Sequence, residues 1–429
     1  MLVSSSLIYS PLIKGFTKTF QCLLGCLCFF AISFVASSAG AEDQSFSIAL
    51  MPTSGAQRTS YYNLLAEFKQ HHKAVSVNIR AYEHEKYKES IHELLTLGTE
   101  DVFFWFGGAK LTALADKGLI ADISTVWKSK GWDKRFTRSA ASAVEHQGKY
   151  FGIPINYYQW GIYYRSTILA EGNVSKLSNW ADLLSACRSL AKQNRHLFTV
   201  GTQSPWSIAA WFDYLNLRIN GLDYHKSVMA GEQSFTSMRM LKVFKFWQQA
   251  IEADCFNEDR SQLDWKEALP LLYHGKSAAV LMGNFFVAGV PKVIQQDLKF
   301  VAFPEINPNV PIYEDAPMDV IMLSKDALDN PAAISFITYL VETDALLKVN
   351  NANKKLSTFD QAYDIDDPFI EAGYKLLNQA KGVAQFYDRD TRSEMSVPAM
   401  DLMVMFINQQ LTIDEVLVTL EHQRQAVYQ

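Results

Sequence analysis

The chain has 429 residues, with 40 Lys and Arg against 45 Asp and Glu, so its formal net charge is −5. A nucleic-acid-binding protein needs a basic stripe that displaces counterions, and no such cluster of Lys and Arg occurs in the chain. The composition therefore disfavours nucleic acid as a partner. A chain of this length exceeds one comfortable hydrophobic core, which leads us to expect two domains.

The first 41 residues have the features of a secretory signal peptide. Lys14 and Lys18 precede an apolar run at 22–36, and a stretch of small residues ends at Ala41. The run is short for a membrane span, and its basic flank lies on the amino side. We therefore expect cleavage after Ala41 and export to the periplasm, in preference to lipid attachment at Cys26 or an uncleaved anchor.

Three of the five cysteines lie in the predicted signal peptide, which leaves Cys187 and Cys255. An oxidising compartment allows these two side chains to form a disulfide. A fold of this length does not need one bridge for stability, and the spacing does not show whether the cysteines meet. The sequence is compatible with a disulfide and with two separate buried thiols.

Strands and helices alternate in the region after residue 41. Apolar runs at 46–51, 75–82 and 101–106 predict strands, and periodic stretches at 59–70 and 85–97 predict helices between them. Strand, helix and strand in that order predict a parallel sheet.

The second half of the chain is mainly helical. A Pro-rich passage at 304–317 is flanked by patterned sequence, so it reads as a crossing between two lobes. The predicted helices and strands of this half are helices at 180–192, 205–220, 235–253, 265–273 and 331–341, and strands at 277–282, 300–303 and 319–323.

The segment 148–165 is rich in aromatic residues around a Gly-Ile-Pro core. The weakly positive C–H groups of a sugar ring stack on electron-rich aromatic faces, while its hydroxyls need polar partners, so the segment suits a neutral, hydroxylated ligand. Strand alternation places Tyr158 and Trp160 on one side, and Tyr157 and Gln159 on the other. The alternative interpretation is a core strand with ordinary packing aromatics.

Motifs of catalysis and metal binding are absent after the predicted signal peptide. We find no nucleophile elbow, Walker loop, dinucleotide-binding loop or Cys-x-x-Cys pair. His92-Glu93 lacks the second His of a zinc-binding helix, and His71-His72 suits a helix end. Asp and Glu are plentiful, but nothing singles out a glycosidase pair. The sequence thus predicts no catalytic residue, cofactor or metal.

The order of several segments resembles the solute-binding components of carbohydrate ABC importers, the large extracellular family that includes the maltose-binding protein. The resemblance spans nearly all of the chain after residue 41. Its carriers are DVFFWFGG at 101–108, LADKGLIADI at 114–123, GKYFGIP at 148–154, YYR at 163–165, LSNWADL at 177–183, WFDYLNLRINGLD at 211–223, GKSAAVLMG at 275–283 and PAAISFITYL at 331–340.

The resemblance implies an α/β fold of two lobes joined by a hinge, with a sugar held in the cleft between them. The first lobe would comprise 42–153 and 299–345, and the second 154–298 and 346–429. It also implies a monomer without cofactor that delivers a mono- or oligosaccharide to membrane permease subunits as the lobes close. A binding protein that feeds a sensor or chemoreceptor is the alternative, and a polysaccharide-active enzyme is a further one.

Candidate ligand-binding residues lie at strand ends, on loops and at helix starts. Of the two rings that end the third strand, we favour Trp105 over Phe106 for the cleft, and Trp211 reads as a core residue on a helix stripe. Arg58 follows the first strand, where its planar fork suits adjacent hydroxyls, although a solvated loop charge is an equal alternative. The predicted ligand-binding set is Arg58, Trp105, Tyr158, Trp160, Trp206, Gly283, Asn284, Asp319 and Arg389, and Asp388 is a further polar candidate.

Overall fold

The computed structural model describes residues 44–360 and 366–429. The predicted signal peptide at 1–41 lies outside the described residues. Within them, no helix combines the length and the apolar character that a membrane crossing requires.

Strands and helices follow the predicted order closely. The strands are β1 Gln44–Leu50, β2 Val75–Ala81, β3 Val102–Phe106, β4 Glu145–His146, β5 Lys149–Tyr150, β6 Ile153–Tyr157, β7 Trp160–Arg165, β8 His196–Phe198, β9 Ser277–Gly283, β10 Leu298–Val301, β11 Glu314–Asp315, β12 Met318–Leu323 and β13 Val383–Ala384. The helices are α1 Gly55–His71, α2 His84–Leu97, α3 Ala109–Asp116, α4 Ser124–Lys130, α5 Arg138–Ser142, α6 Ser166–Glu171, α7 Trp180–Ala191, α8 Trp206–Asn220, α9 Leu222–Met229, α10 Met238–Glu252, α11 Trp265–Tyr273, α12 Lys292–Gln295, α13 Pro331–Glu342, α14 Ala345–Ala352, α15 Pro368–Gln379, α16 Tyr387–Asp390, α17 Ser393–Ile407 and α18 Ile413–Tyr428.

Local signals account for many of the helix ends. The side chain of Ser54 accepts a hydrogen bond from Gln57 N–H at the start of α1. Asp264 and Glu267 form a reciprocal capping box at the start of α11. Gly98 ends α2 with a φ of 62°, a left-handed conformation that glycine adopts without steric cost.

The first sheet has the strand order β2-β1-β3-β12-β6. β1 pairs in parallel with both β2 and β3, as the strand and helix alternation predicts. β12 runs antiparallel to β3 and β6. Phe46, Ile48 and Phe103 are buried in the core that surrounds this sheet.

The second sheet has the strand order β10-β7-β9-β8 and its own hydrophobic core. β7 is antiparallel to β10 and β9, and β8 is parallel to β9. Trp211 and Trp247 are among the largest fully buried side chains of this core. Two sheets with separate cores confirm the two-lobed α/β fold.

Sheet membership differs from the predicted lobe boundaries at three places. β6, predicted to open the second lobe, pairs with β12 in the first sheet. β10, predicted in the first lobe, pairs with β7 in the second sheet. Leu346 and Leu356 pack in the first core, although 346–429 was expected in the second lobe. The sequence of a short strand does not show which sheet the strand joins. The lobe boundaries therefore depend on pairing between distant segments, which the sequence pattern does not reveal.

Cys187 and Cys255 form a disulfide, which resolves the alternative that the sequence left open. The bridge lies in the second core, where both residues are fully buried. It joins α7 to the segment that follows α10, two elements 68 residues apart in the chain.

Candidate ligand-binding site

A cavity of about 540 Å³ lies where elements of the two cores meet. The ends of β1 and β3 open toward it, as the carboxyl ends of parallel strands do in open α/β sheets. We call it the aromatic cavity, and it is lined by Thr53, His84, Lys88, Phe106, Tyr158, Trp160, Trp206, Trp265, Phe285, Pro317, Lys355, Phe386, Asp388 and Arg389.

Phe285 is the centre of the aromatic wall. Its ring centroid lies 5.3 Å from that of Tyr158 and 6.0 Å from that of Trp160. The rings of Trp206 and Trp265 lie 6.0 and 5.7 Å from it. The planes of these pairs are tilted or near perpendicular, the arrangement that the ring quadrupoles favour. The wall is therefore preformed and offers apolar ring surface to the cavity.

Gly283 lets this wall close. A Cβ at this position would lie 2.5 Å from the ring of Phe285 and 3.1 Å from that of Trp160. Glycine, which ends β9, removes that clash. Gly283 was predicted as a ligand-binding residue, but it is not among the lining residues, and its lack of a side chain makes room for the rings of Phe285 and Trp160.

Asp319 organises the polar side of the site from just behind the cavity surface. Its Oδ2 accepts hydrogen bonds from Lys355 Nζ at 2.9 Å and from the Tyr158 hydroxyl. Arg389 Nη1 lies 3.8 Å from Asp319 Oδ1. Burial would raise the pKa of Asp319, but the charges of Lys355 and Arg389 outweigh it and hold that pKa below its usual value. Asp319 is therefore an ionised anchor for two cations.

Arg389 lies over an aromatic ring and also contacts polar partners. Its guanidinium carbon lies 3.5 Å from the centroid of Phe106, a cation–π geometry. Its Nη1 donates a hydrogen bond of 3.2 Å to the carbonyl of Met318, and its Nε lies 3.6 Å from Asp388 Oδ1. Phe106 comes from the first sheet and Arg389 from α16, so this stack joins the two sides of the cavity.

A second charged group lies at the start of α2. Glu85 contacts His84 Nδ1 at 2.9 Å and Lys88 Nζ at 3.0 Å. It also accepts a hydrogen bond of 3.2 Å from Trp206 Nε1, which comes from α8 on the opposite side. Burial would raise the pKa of Glu85, but His84 and Lys88 lower it to about 2. Glu85 is thus ionised at neutral pH.

The structure places the predicted binding residues as follows. Tyr158, Trp160, Trp206 and Arg389 line the aromatic cavity, and Asp319 lies directly behind them. The strand alternation expected at 157–160 is interrupted, because β6 ends at Tyr157 and β7 begins at Trp160, and these two strands belong to different sheets. Tyr158 nevertheless faces the cavity together with Trp160.

Trp105 lies outside the aromatic cavity, and Phe106 takes the place that was expected for it. Trp105 Nε1 donates a hydrogen bond of 3.3 Å to the carbonyl of Lys110, and its ring packs 6.0 Å from that of Tyr87. The two rings lie side by side, with centroids 4.9 Å apart. Phe106 lines the aromatic cavity, and Trp105 lines a neighbouring cavity next to α2.

Arg58 and Asn284 also lie away from the cavity lining. Arg58 is exposed on α1, because the helix begins at Gly55 and not after Arg58. Asn284 is fully buried, and its Nδ2 donates a hydrogen bond of 2.6 Å to the carbonyl of Lys354. Arg58 is therefore better described by the alternative interpretation, a charge in contact with solvent. Asn284 instead links segments of the two cores.

Several residues that line the cavity were not predicted from the sequence. Phe285 and Trp265 had a local signal, since Phe285 follows Gly283-Asn284 and Trp265 follows a helix cap. Lys355 had none, because its role depends on Asp319, which is 36 residues away. The other unpredicted lining residues are Thr53, His84, Lys88, Pro317 and Phe386. In the described part of the chain, no group of three or more His, Cys, Asp or Glu side chains is placed to hold a metal ion.

The family model of the bacterial extracellular solute-binding proteins matches residues 53–346. The chain belongs to this family. An uncharacterized ABC transporter extracellular-binding protein of Pyrococcus horikoshii is 23% identical over 188 residues, which are 43% of this chain and 42% of that protein. The matched stretch thus spans less than half of that relative's length.

Solved structures of other binding proteins share the fold. The bacterial solute receptor AcbH, described by an exclusive preference for β-D-galactopyranose, superposes with a TM-score of 0.84 at 23% identity and covers 90% of this chain and 99% of its own. A chitin oligosaccharide binding protein superposes with a TM-score of 0.82 at 15% identity and covers 90% of this chain and 98% of its own. This family member therefore has the complete two-lobed architecture of these proteins.

Proposed function

We propose that this family member is the periplasmic sugar-binding component of an ABC importer, which captures a neutral mono- or oligosaccharide and delivers it to the membrane permease. The observation that carries the proposal is the aromatic cavity, where a preformed wall of rings faces a hydrogen-bonding side. Ring faces supply stacking surface for the C–H groups of a sugar, and the polar side supplies partners for its hydroxyls.

The charges around the cavity support a neutral ligand. Every charged side chain of its lining has a partner of opposite charge: Lys88 with Glu85, Lys355 with Asp319, and Arg389 with Asp388 and Asp319. An ionic ligand would have to compete for charges that are already compensated. A neutral polyol can hydrogen-bond to the same groups without disturbing the balance.

The ionisation state of the carboxylate behind the cavity is consistent with a protein that binds its ligand without catalysing a reaction. A glycosidase needs one protonated carboxyl as general acid and a second carboxylate facing it. The pKa of Asp319 lies below its usual value because Lys355 and Arg389 outweigh the effect of burial. Asp319 is therefore ionised at neutral pH and unsuited to donate a proton.

The disulfide of Cys187 and Cys255 agrees with the proposed export, because disulfides persist in oxidising compartments. We expect the mature protein to begin at or near Glu42. Mass spectrometry of the protein from a periplasmic extract measures this directly. A lipid-bearing N-terminus at Cys26 would contradict the proposed processing.

The proposal is tested by thermal shift and calorimetric titration of the purified protein. The panel contains neutral mono- and oligosaccharides, with charged amino acids, peptides and divalent metal ions as controls. We expect neutral sugars to raise the melting temperature, since a ligand that binds only the folded state stabilises it by mass action. Stabilisation by a charged control, with no effect of any sugar, would refute the proposed ligand class.

A further inference from the structure

The aromatic cavity is not the whole of the cleft. A second cavity of about 1190 Å³ adjoins it on the side of α2, α3 and α17. We call it the side cavity. Its lining includes Trp105, His92 and Lys110 from the first side, and Val397 and Asp401 from the second. A ligand that extended from the aromatic cavity along the cleft would enter this space.

Four side chains line both cavities and therefore form the boundary between them. Lys88 and Phe106 belong to the first side, and Trp206 and Asp388 belong to the second. The boundary is held across the cleft by the hydrogen bond of 3.2 Å from Trp206 Nε1 to Glu85 Oε1. Glu85 lines the side cavity but not the aromatic cavity, whereas Trp206 lines both. The hydrogen bond therefore lies at the boundary between the two cavities.

This bridge has the properties of a firm contact. The acceptor is ionised, since the pKa of Glu85 is lowered to about 2 by His84 and Lys88 against the effect of burial. Hydrogen bonds to an ionised acceptor are stronger than neutral ones. The Trp206 ring is also fixed from behind by Trp265, whose centroid lies 5.6 Å away. Neither partner is free to move without loss of a specific contact.

We propose that the Trp206–Glu85 bridge limits the length of the ligand, so that the aromatic cavity holds one pyranose ring and excludes a glycan that extends into the side cavity. The inference rests on the proposed function and narrows its ligand to a neutral monosaccharide. A longer glycan has to break the bridge, which leaves the Glu85 carboxylate and the Trp206 N–H without each other. Rejection by such a cost is the usual means by which a site discriminates between related ligands.

The test compares affinity for single sugars with affinity for their oligomers. The probes are D-galactose, D-glucose, D-xylose and N-acetylglucosamine, each with its disaccharide and trisaccharide, in calorimetric titrations of the full mature chain. For the sugar that binds, the wild-type protein is expected to prefer the monosaccharide over the trisaccharide by at least roughly tenfold, which corresponds to about 1.4 kcal/mol.

Three variants separate the bridge from the general shape of the site. Trp206→Phe keeps a ring in the wall but removes the N–H donor, and should lower the monosaccharide preference by roughly tenfold. Glu85→Gln keeps an acceptor oxygen for Trp206 but loses the charge that strengthens the hydrogen bond, so it should lower the preference by less than Trp206→Phe does. Glu85→Leu removes the acceptor at a side chain that is 43% exposed, and serves if Trp206→Phe does not fold.

The outcomes are distinguishable. Tighter binding of a trisaccharide by the wild-type protein overturns the length limit and leaves the proposed sugar-binding function standing. An unchanged preference in both Trp206→Phe and Glu85→Leu overturns the role of the bridge. If Glu85→Gln loses as much preference as Trp206→Phe, the effect is due to the charge of Glu85 and the role of the hydrogen bond is overturned. Binding of no saccharide of any length overturns the proposed function itself.

Discussion

The ammonium of Lys355 lies 2.9 Å from the carboxylate of Asp319 and 4.5 Å from the centroid of the Tyr158 ring. Lys355 is 2% exposed and Asp319 is 4% exposed, so both charges are removed from water. Burial lowers the pKa of Lys355, while Asp319 opposes that effect. Removal of Lys355 would leave the buried charge of Asp319 with only the more distant Arg389 Nη1, at 3.8 Å, to compensate it, and removal of Asp319 would leave Lys355 buried without its carboxylate partner.

Lys355→Met should therefore destabilise the protein by about 3–5 kcal/mol, the usual cost of breaking a buried ion pair by removal of one partner. Chemical denaturation with a fluorescence readout measures the free energy of unfolding. The double variant Lys355→Met with Asp319→Asn removes both charges and should recover part of the loss. A double variant less stable than Lys355→Met would contradict the charge-pair explanation. The exposed pair of Lys130 and Glu342 supplies a control, for which Lys130→Met should cost less than about 1 kcal/mol.

Four tryptophans allow the roles of the aromatic wall, the second core and the side cavity to be compared with one type of substitution. Trp160→Ala and Trp206→Ala remove cavity-lining rings and should weaken sugar binding by about 1–3 kcal/mol. Trp211→Ala leaves a void in the second core, and should cost about 3–5 kcal/mol of stability while the affinity of the folded protein is retained. Trp105→Ala should preserve affinity, since that ring lies outside the aromatic cavity.

Calorimetric titration and chemical denaturation of the same four variants give both quantities. Normal binding by Trp160→Ala and Trp206→Ala would show that the aromatic wall does not hold the ligand. Loss of binding in a stable Trp211→Ala protein would show that the division between cavity and core is wrong.

The comparison of Trp105 with Phe106 shows where prediction from sequence reaches its limit. The strand and the position of its end at the cleft followed from local pattern, and the structure confirms both. Which of two adjacent rings faces the cavity depended on the pairing of β3 with β12, whose residues lie more than 200 positions later in the chain. The sequence alone carries no record of that register.

Lys355 and Cys187 illustrate the same limit for polar and covalent contacts. Trp160 and Trp206 were predictable, because a ring near a strand end or in a first helical turn is a local signal. The pairing of Lys355 with Asp319, and of Cys187 with Cys255, arises only when distant segments pack together. Sequence reasoning therefore pointed to single residues on both sides of the cavity, such as Trp160 and Arg389, but not to the pairs that distant segments form.

The disulfide should contribute to stability without a role in binding. Cys187 and Cys255 close a loop with a sequence separation of 68, and both lie in the second core, away from the cavity lining. Cys187→Ala with Cys255→Ala should lower the free energy of unfolding by about 2–4 kcal/mol, chiefly because the unfolded chain gains freedom. Sugar affinity should be unchanged. Denaturation midpoints with and without reductant check the first expectation, and a shifted affinity would contradict the second.

Asp390 should make the protein more stable at mildly acidic pH than at neutral pH. Burial raises its pKa from 3.8 to about 6, against the lowering effects of the Ala109 N–H, Lys226 and Arg389. A raised acid pKa means that the folded state holds the proton more tightly than the unfolded state. Its stabilisation is present below about pH 4 and is lost as the pH rises through about 6. The shift corresponds to about 3 kcal/mol.

Asp390→Asn keeps an oxygen that can accept from the Ala109 N–H but removes the titration. The variant should therefore be more stable than the wild-type protein at pH 7.5, and should show a flatter dependence of the unfolding free energy between about pH 4 and 6. Urea denaturation at several pH values measures this slope. Asp133→Asn, at an exposed position, is the matched control and should leave the slope unchanged. Asp213 and Asp315 are buried acids whose pKa values are also raised, by burial and by neighbouring carboxylates, so a residual slope of the same sign is expected in Asp390→Asn. A slope in Asp390→Asn as steep as in the wild-type protein would show that Asp390 does not hold the proton.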